Sequence, residues 1–335
     1  MQKGKRMKEL SADGKSLEEL NSYYGSGVEA SDFDEYWKRA KNLLAGIDPD
    51  VRLEKADFEC NSADCFILSF NGIGGARITA KYLRPKTPGP HPCVLWFHGY
   101  TIASMDWTMY LHFIAEGSCV AALDCRGEGS DSQDCAQNPQ AWILYGLILR
   151  GIREGADELA FKRIFLDALE LAHIVEKFPE VDENQISTYG TSQGGAISVA
   201  CSALHGRIKK TVCGSNFLSD FPYVIEHNYH SVKNAGAPYS EIGQYFRRFD
   251  HQHEHIDEML NALSYIDGVN FAKRVKNPVL MEITLQDSFI PPATQFAVFN
   301  NFAGPKENVI FYDYDHEDAL PGWIDKAMTF LKNQK

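Results

Sequence analysis

The pentapeptide Gly190-Thr191-Ser192-Gln193-Gly194 constrains this 335-residue chain more than any other stretch. It sits between an apolar run with strand character, QISTYG (185–190), and a small-residue run with helix character, GGAISVACSAL (194–204). A G-x-S-x-G at a strand–turn–helix junction is the sequence form of a nucleophile elbow, which presents the serine hydroxyl at the carboxyl edge of a sheet. Glycines flank the serine because the tight turn brings neighbouring backbone too close for side chains. Gly195 and Ala196 would then let the helix lie close on the sheet. The bland alternative, a Gly-rich βα turn with a capping serine, is not excluded by the pentapeptide alone; the strand before it and the helix after it favour the elbow.

The surrounding texture fits. CVLWF (93–97) and CVAAL (119–123) are short continuous apolar runs of the kind buried in parallel sheets. DELAFKRIFLDALELAHIVEKF (157–178) predicts a long amphipathic helix that stops before Pro179. KTVCG (210–214), PVLMEITL (278–285) and NVIFYDY (308–314) predict further strands, with helices over 291–301 and 322–333. This alternation implies an α/β fold with a mostly parallel sheet and helices on both faces. Residues 51–84 instead read as antiparallel strands broken by NGIGG, and a helix with Ser31 as its N-cap is expected over 30–44. We therefore expect an N-terminal arm and helix over 1–50 and a main domain over 51–335. A helical insert at about 216–265, rich in Tyr, His and Phe, should cover the sheet's carboxyl edge, where open α/β sheets bind ligands.

A serine hydroxyl needs a base and an orienting carboxylate to act as a nucleophile. In the chain order Ser, acid, His, Asp287 follows the strand PVLMEITL, and His316 in DYDHED is the only histidine beyond it. Ser192, Asp287 and His316 each follow a strand, so all three project to one edge. Asp313, Asp315 and Asp318 are rivals for the acid but sit so close to His316 in sequence that loop and cap roles suit them better. Two backbone N–H groups must face the developing oxyanion. Gln193, after the nucleophile, supplies one; Tyr100, at the end of WFHGY (96–100), supplies the other. His98 is read as a loop-stabilising side chain.

Composition removes other classes. With 33 Lys+Arg against 45 Asp+Glu the net charge is −12, which argues against nucleic-acid or anionic-membrane partners. No apolar run approaches the roughly 18–20 residues of a membrane helix. The charged start MQKGKRMKEL shows no secretory leader, so a cytoplasmic protein is expected. The eight cysteines form no CxxC pair and are expected to be reduced core residues, with Cys60 and Cys65 close enough to lie on adjacent hairpin strands. His251, His253 and His255 in DHQHEH raise the question of a metal, since His251 and His255 would share a helical face. We expect none there, and NGIGG lacks the following helix that a phosphate cradle needs.

FHGY (97–100), DCRGEGS (124–130), GTSQGG (190–195), LSYIDGVNFAKRVKNPVL (263–280), QDSFIPPATQFAVFN (286–300) and DHE (315–317) together resemble the acetyl xylan esterase/cephalosporin-C deacetylase family of carbohydrate esterases. The resemblance also takes in LEELNSYYGSG and DFDEYW. It implies an α/β-hydrolase fold and a serine esterase that removes acetyl groups from xylo-oligosaccharides without a cofactor. It also implies the triad Ser192, Asp287 and His316, oxyanion donors at Tyr100 and Gln193, and a homo-oligomer, often a hexamer. Tyr23, Tyr24, Phe33 and Trp37 of the arm would offer apolar anchors for such an assembly, and Tyr223, Tyr229, Tyr239, Tyr245 and Phe246 would narrow the acyl pocket. One departure is Glu128, where the family usually carries Gln, followed by Ser130-Asp131; Arg126 and Glu128 look structural. The alternatives are another serine hydrolase of the same fold, either a longer-acyl esterase or a peptidase, and a non-catalytic binding module.

Overall fold

A computed structural model describes residues 10–129, 131–136, 146–227, 238–317 and 319–333. Nine strands form one sheet: β1 (Arg52–Lys55), β2 (Ala63–Asn71), β3 (Arg77–Pro85), β4 (His91–Phe97), β5 (Cys119–Asp124), β6 (Val181–Thr191), β7 (Lys210–Gly214), β8 (Val279–Thr284) and β9 (Lys306–Phe311). Their order is β1-β2-β3-β5-β4-β6-β7-β8-β9. From β1 to β5 the pairing is antiparallel; from β5 across to β9 it is parallel. The two kinds of sequence texture thus occupy the two ends of the sheet. β5, β7 and β8 are buried along their whole length, which is why they read as continuous apolar runs.

The period-2 alternation of β4 divides the core into two layers. Cys93, Leu95 and Phe97 face the layer that holds helices Ala160–Val175 and Gln193–His205. Val94 and Trp96 face a smaller cluster with Tyr110, Phe113 and Leu331. Helix Phe33–Ala45 packs on the larger layer, burying Phe33, Tyr36 and Trp37, and Trp37 Nε1 donates to Tyr265 O at 3.0 Å. The N-terminal segment therefore shares the main hydrophobic core. Phe33 and Trp37 are withdrawn from the anchoring role expected of them, and Tyr23 donates its hydroxyl to Asp220 at 2.5 Å. Tyr24, 61% exposed, stays at the surface.

Several expectations are corrected. The N-cap of helix Phe33–Ala45 is Asp32, not Ser31. The helix expected over 157–178 begins at Ala160 after a 3-10 turn and is buried nearly all round, because the N-terminal helix covers the face that would have met water. Its polar residues are paired: Lys162 Nζ lies 2.6 Å from Asp157 Oδ1. Cys60 lies in the loop before β2 and Cys65 within β2, so they are not on adjacent hairpin strands, and all eight cysteines are free thiols. The described part of the segment 216–265 contains helices Phe221–Glu226, Ser240–Phe249 and Ile256–Ser264, joined by turns and loops. Its DHQHEH stretch is a turn between two of them rather than a helix, with His253 stacked on Phe246 at 4.1 Å. Tyr223, Tyr239, Tyr245 and Phe246 are buried in the chain's own core; Tyr229 lies outside the described residues, as do Ser130 and Asp318.

Arg126, just past β5, makes a buried two-pronged ion pair with Asp167 of helix Ala160–Val175. Nε–Oδ2 and Nη2–Oδ1 are both 2.6 Å, and Nη1 donates to Ile73 O at 2.9 Å. The three contacts fix the loop after β5 to the helix and to the β2–β3 connection. Removing one charge strands the other in a dry interior. Asp167→Asn should therefore destabilise the protein by about 3–5 kcal/mol, read from the urea unfolding midpoint.

Candidate active site

Ser192 occupies the turn between β6 and helix Gln193–His205 with φ 59° and ψ −123°, a conformation that side-chain-bearing residues rarely adopt. Neighbouring contacts explain the glycines around it. A Cβ on Gly190 would lie 2.4 Å from Gly194 C, one on Gly194 2.1 Å from Phe97 O, and one on Gly195 2.6 Å from Gly214 O. Ser192 N–H donates to Gly214 O at 2.9 Å, and its carbonyl accepts from Phe217 N–H at 3.3 Å. The turn is thus tied to β7 and to the residues that follow it.

Strand register brings the other groups to this edge. Phe97 pairs with Gly190, Thr191 with Gly214, Gly214 with Glu282, and Thr284 with Phe311. Tyr100, Asp287 and His316 lie three, three and five residues past Phe97, Thr284 and Phe311, on the loops that leave these strand ends. Asp287 is fully buried and accepts from five donors. Oδ1 takes the N–H groups of Phe289 (2.9 Å) and Ile290 (2.7 Å). Oδ2 takes Thr284 Oγ1 (3.1 Å), Gln295 Nε2 (3.1 Å) and His316 Nδ1 (2.9 Å). With Nδ1 protonated and held by a carboxylate, Nε2 of His316 carries the lone pair a general base uses.

Among the rivals for the acid, Asp315 is committed elsewhere. It accepts from Ser288 N–H (2.7 Å), Ser288 Oγ (3.1 Å) and His316 N–H (2.7 Å), clamping the Asp287 loop to the His316 loop. No sequence signal pointed to Thr284 or Gln295, whose role exists only through the tertiary contact with Asp287.

The backbone N–H groups of Tyr100 and Gln193 donate to no acceptor among the described residues, as an oxyanion site requires. The Tyr100 ring lies between Phe161 and Phe217, at 6.1 and 5.1 Å. Its hydroxyl donates to Glu241 Oε1 at 3.0 Å and accepts from Leu147 N–H. Glu241, fully enclosed in the helical insert, also accepts from Ile148 and Leu149 N–H at 3.0 and 3.1 Å, and burial pushes its carboxyl up to about 7. Glu128, read as structural from the sequence, accepts from Thr101 N–H at 2.9 Å and from Gln193 Nε2 at 2.6 Å.

Among the described residues, one group of His, Cys and carboxylate side chains is close enough to share a metal: His98, Cys125 and Glu128. The donor set does not fit. His98 Nε2 accepts from Cys125 N–H at 3.0 Å and Nδ1 donates to Gly99 O at 2.7 Å, which leaves no ring lone pair. Burial also raises the Cys125 thiol well above its ordinary value, away from the thiolate a metal binds. His98 thus ties the loop after β4 to the loop after β5.

The family model for acetyl xylan esterase (AXE1) matches residues 12–334. This chain belongs to the acetyl xylan esterase family. It is similar to acetyl xylan esterase 1 from Thermoanaerobacterium sp. JW/SL YS485, with 43% identity, a TM-score of 0.90, and 95% of this chain and 98% of that one covered. It is also similar to the acetyl xylan esterase from Paenibacillus sp. R4, with 33% identity, a TM-score of 0.88, and 95% and 99% coverage. A curated relative, acetyl esterase Axe7A of Xylanibacter ruminicola, is 25% identical over 83% of this chain, and the match spans 62% of that relative's length. The α/β-hydrolase fold expected from the sequence is the fold observed. No helix of the described residues is long and apolar enough to cross a membrane.

In Asp287→Asn, an amide oxygen that stays on the Phe289 and Ile290 N–H groups turns the NH2 toward His316 Nδ1, so the imidazole loses its tautomer. Turnover should fall by about 10³–10⁴-fold with little change in KM, measured by steady-state kinetics on an acetyl ester.

Proposed function

We propose that this protein is a serine esterase that removes acetyl groups from acetylated xylo-oligosaccharides and similar small acetyl esters, cephalosporin C among them, with Ser192, Asp287 and His316 as its triad. The observation that carries the reading is the hydrogen bond of Asp287 to His316 Nδ1 at the same sheet edge as the Ser192 elbow, in a chain of the acetyl xylan esterase family. His316 takes the Ser192 proton as Oγ attacks the acetyl carbonyl. The N–H groups of Tyr100 and Gln193 hold the oxyanion, the sugar alcohol leaves with the proton from His316, and water repeats the sequence on the acyl-enzyme. Every proton in this cycle moves through His316, so no metal step is needed.

Ser192→Ala should fold as wild type by circular dichroism and lose turnover of p-nitrophenyl acetate by about 10⁴–10⁶-fold, because nucleophile and base act as a unit. Wild-type turnover should be unchanged by EDTA. Activity retained in Ser192→Ala would remove the triad assignment.

Acyl length and assembly are linked in the reading. We expect a short acyl site under the insert, where Tyr223, Tyr239, Tyr245 and Phe246 are buried, and the exposed Tyr24 and Val28 (61% and 86% exposed) give the N-terminal segment an apolar surface for a second copy. A homo-oligomer, a hexamer by resemblance, would restrict polymer access. The eight free thiols favour a reducing, cytoplasmic setting. In a chain-length series, acetyl esters should be turned over faster than butyryl or longer ones, and xylo-oligosaccharides faster than polymeric xylan. A monomer by light scattering, together with octanoyl esters cleaved as fast as acetyl, would sink this part.

A further inference from the structure

Two loops supply the oxyanion donors, and one side chain joins them. The carboxylate of Glu128, on the loop after β5, accepts from Thr101 N–H, the peptide next to Tyr100, and from the side chain of Gln193, whose backbone supplies the other donor. Gln193 Nε2 also reaches Gly99 O at 3.5 Å, while its Oε1 is buried without a partner. We propose that Glu128 is a positioning residue for the oxyanion hole, fixing the spacing of its two loops, and that its charge state modulates turnover because an ionised carboxylate there opposes the developing oxyanion. This rests on the assignment of Tyr100 and Gln193 as the oxyanion donors.

The groups packed around Glu128 leave few others to titrate near neutrality. From its own loop come Cys125, whose thiol burial keeps protonated, and Arg126, which is spent on Asp167. From the loop after β4 come His98, which burial keeps neutral, and Tyr100, whose hydroxyl burial keeps protonated. From helix Gln193–His205 comes the uncharged Gln193. Glu241 of the insert lies behind Tyr100, on its hydroxyl. Burial lifts Glu128 itself to about 7, against the lowering effect of its hydrogen bonds from Thr101 and Gln193. Below that pH the neutral acid still offers an oxygen to Thr101; above it, a negative charge lies one peptide from Tyr100 N–H.

Glu128→Gln separates the two roles. The new amide keeps an acceptor for Thr101 N–H, and a turn of the Gln193 amide brings its unpartnered Oε1 to the new donor, so the tie is kept without the charge. The experiment measures kcat and KM for p-nitrophenyl acetate against pH in wild type, Glu128→Gln, Glu128→Ala and Ser192→Ala. Wild-type kcat should decline about tenfold as pH rises above 7, while Glu128→Gln should show no such decline, with KM within about twofold. Glu128→Ala should lose kcat by about tenfold or more at every pH, because the tie itself is gone. An alkaline decline retained in Glu128→Gln overturns the charge effect. A kcat for Glu128→Ala equal to that of Glu128→Gln at pH 6 overturns the positioning role. Turnover surviving in Ser192→Ala removes the parent site assignment instead, which neither Glu128 result does.

Discussion

The backbone at Ser192 is held in a left-handed conformation by packing, and the rest of the site is arranged around that turn. A strained residue of this kind costs of the order of 1–3 kcal/mol and persists only when its surroundings leave it no alternative. Here the surroundings are backbone: Gly194 against Phe97 O, Gly195 against Gly214 O, and the Ser192 N–H bonded to Gly214 O. Because those contacts run to β4 and β7, the turn is locked to both neighbouring strands at once. The same close approach sets Gln193 at the start of its helix, beside the loop that carries Tyr100.

Around this turn, burial is matched by hydrogen bonding. A carboxylate taken out of water must find donors. Asp287 finds two backbone N–H groups, a hydroxyl, an amide and an imidazole. Glu241 finds two backbone N–H groups and the Tyr100 hydroxyl. Glu128 has a backbone N–H and the Gln193 amide. Burial lifts both Glu128 and Glu241 to about 7. Carboxyls from different segments thus fasten the loops of the site to one another, and the charge of two of them, Glu128 and Glu241, can change near neutral pH.

The segment 221–264 and the N-terminal segment are bonded to each other's neighbourhood and to the site loops. The insert reaches the site through Glu241 and Tyr100, while the N-terminal segment bonds to Asp220 at the insert's start through Tyr23 and Ser26. Helix Ala160–Val175, buried between the sheet and helix Phe33–Ala45, carries Asp167 and thereby anchors Arg126 and the loop on which Glu128 stands. Each of these layers is joined to the site by a short chain of direct contacts.

The sequence alone determined the elbow, the alternating strands, and the order Ser192, Asp287, His316, because each depends on local pattern: glycine where backbone crowds, apolar runs where strands are buried, and a single histidine beyond Asp287. It did not determine that helix Ala160–Val175 is covered on its outer face, since the cover comes from Trp37, far away in sequence. Nor could local spacing place DHQHEH in a turn, or separate Cys60 from a hairpin partner. Whether Asp287 or Asp315 meets the imidazole was decided by strand register, which sets Thr284 opposite Phe311 and leaves Asp315 to clamp Ser288. Glu128 is the sharpest case. Its neighbours in sequence describe a loop, whereas its partners Thr101 and Gln193 come from two other strand ends, so only the assembled sheet edge makes it part of the site.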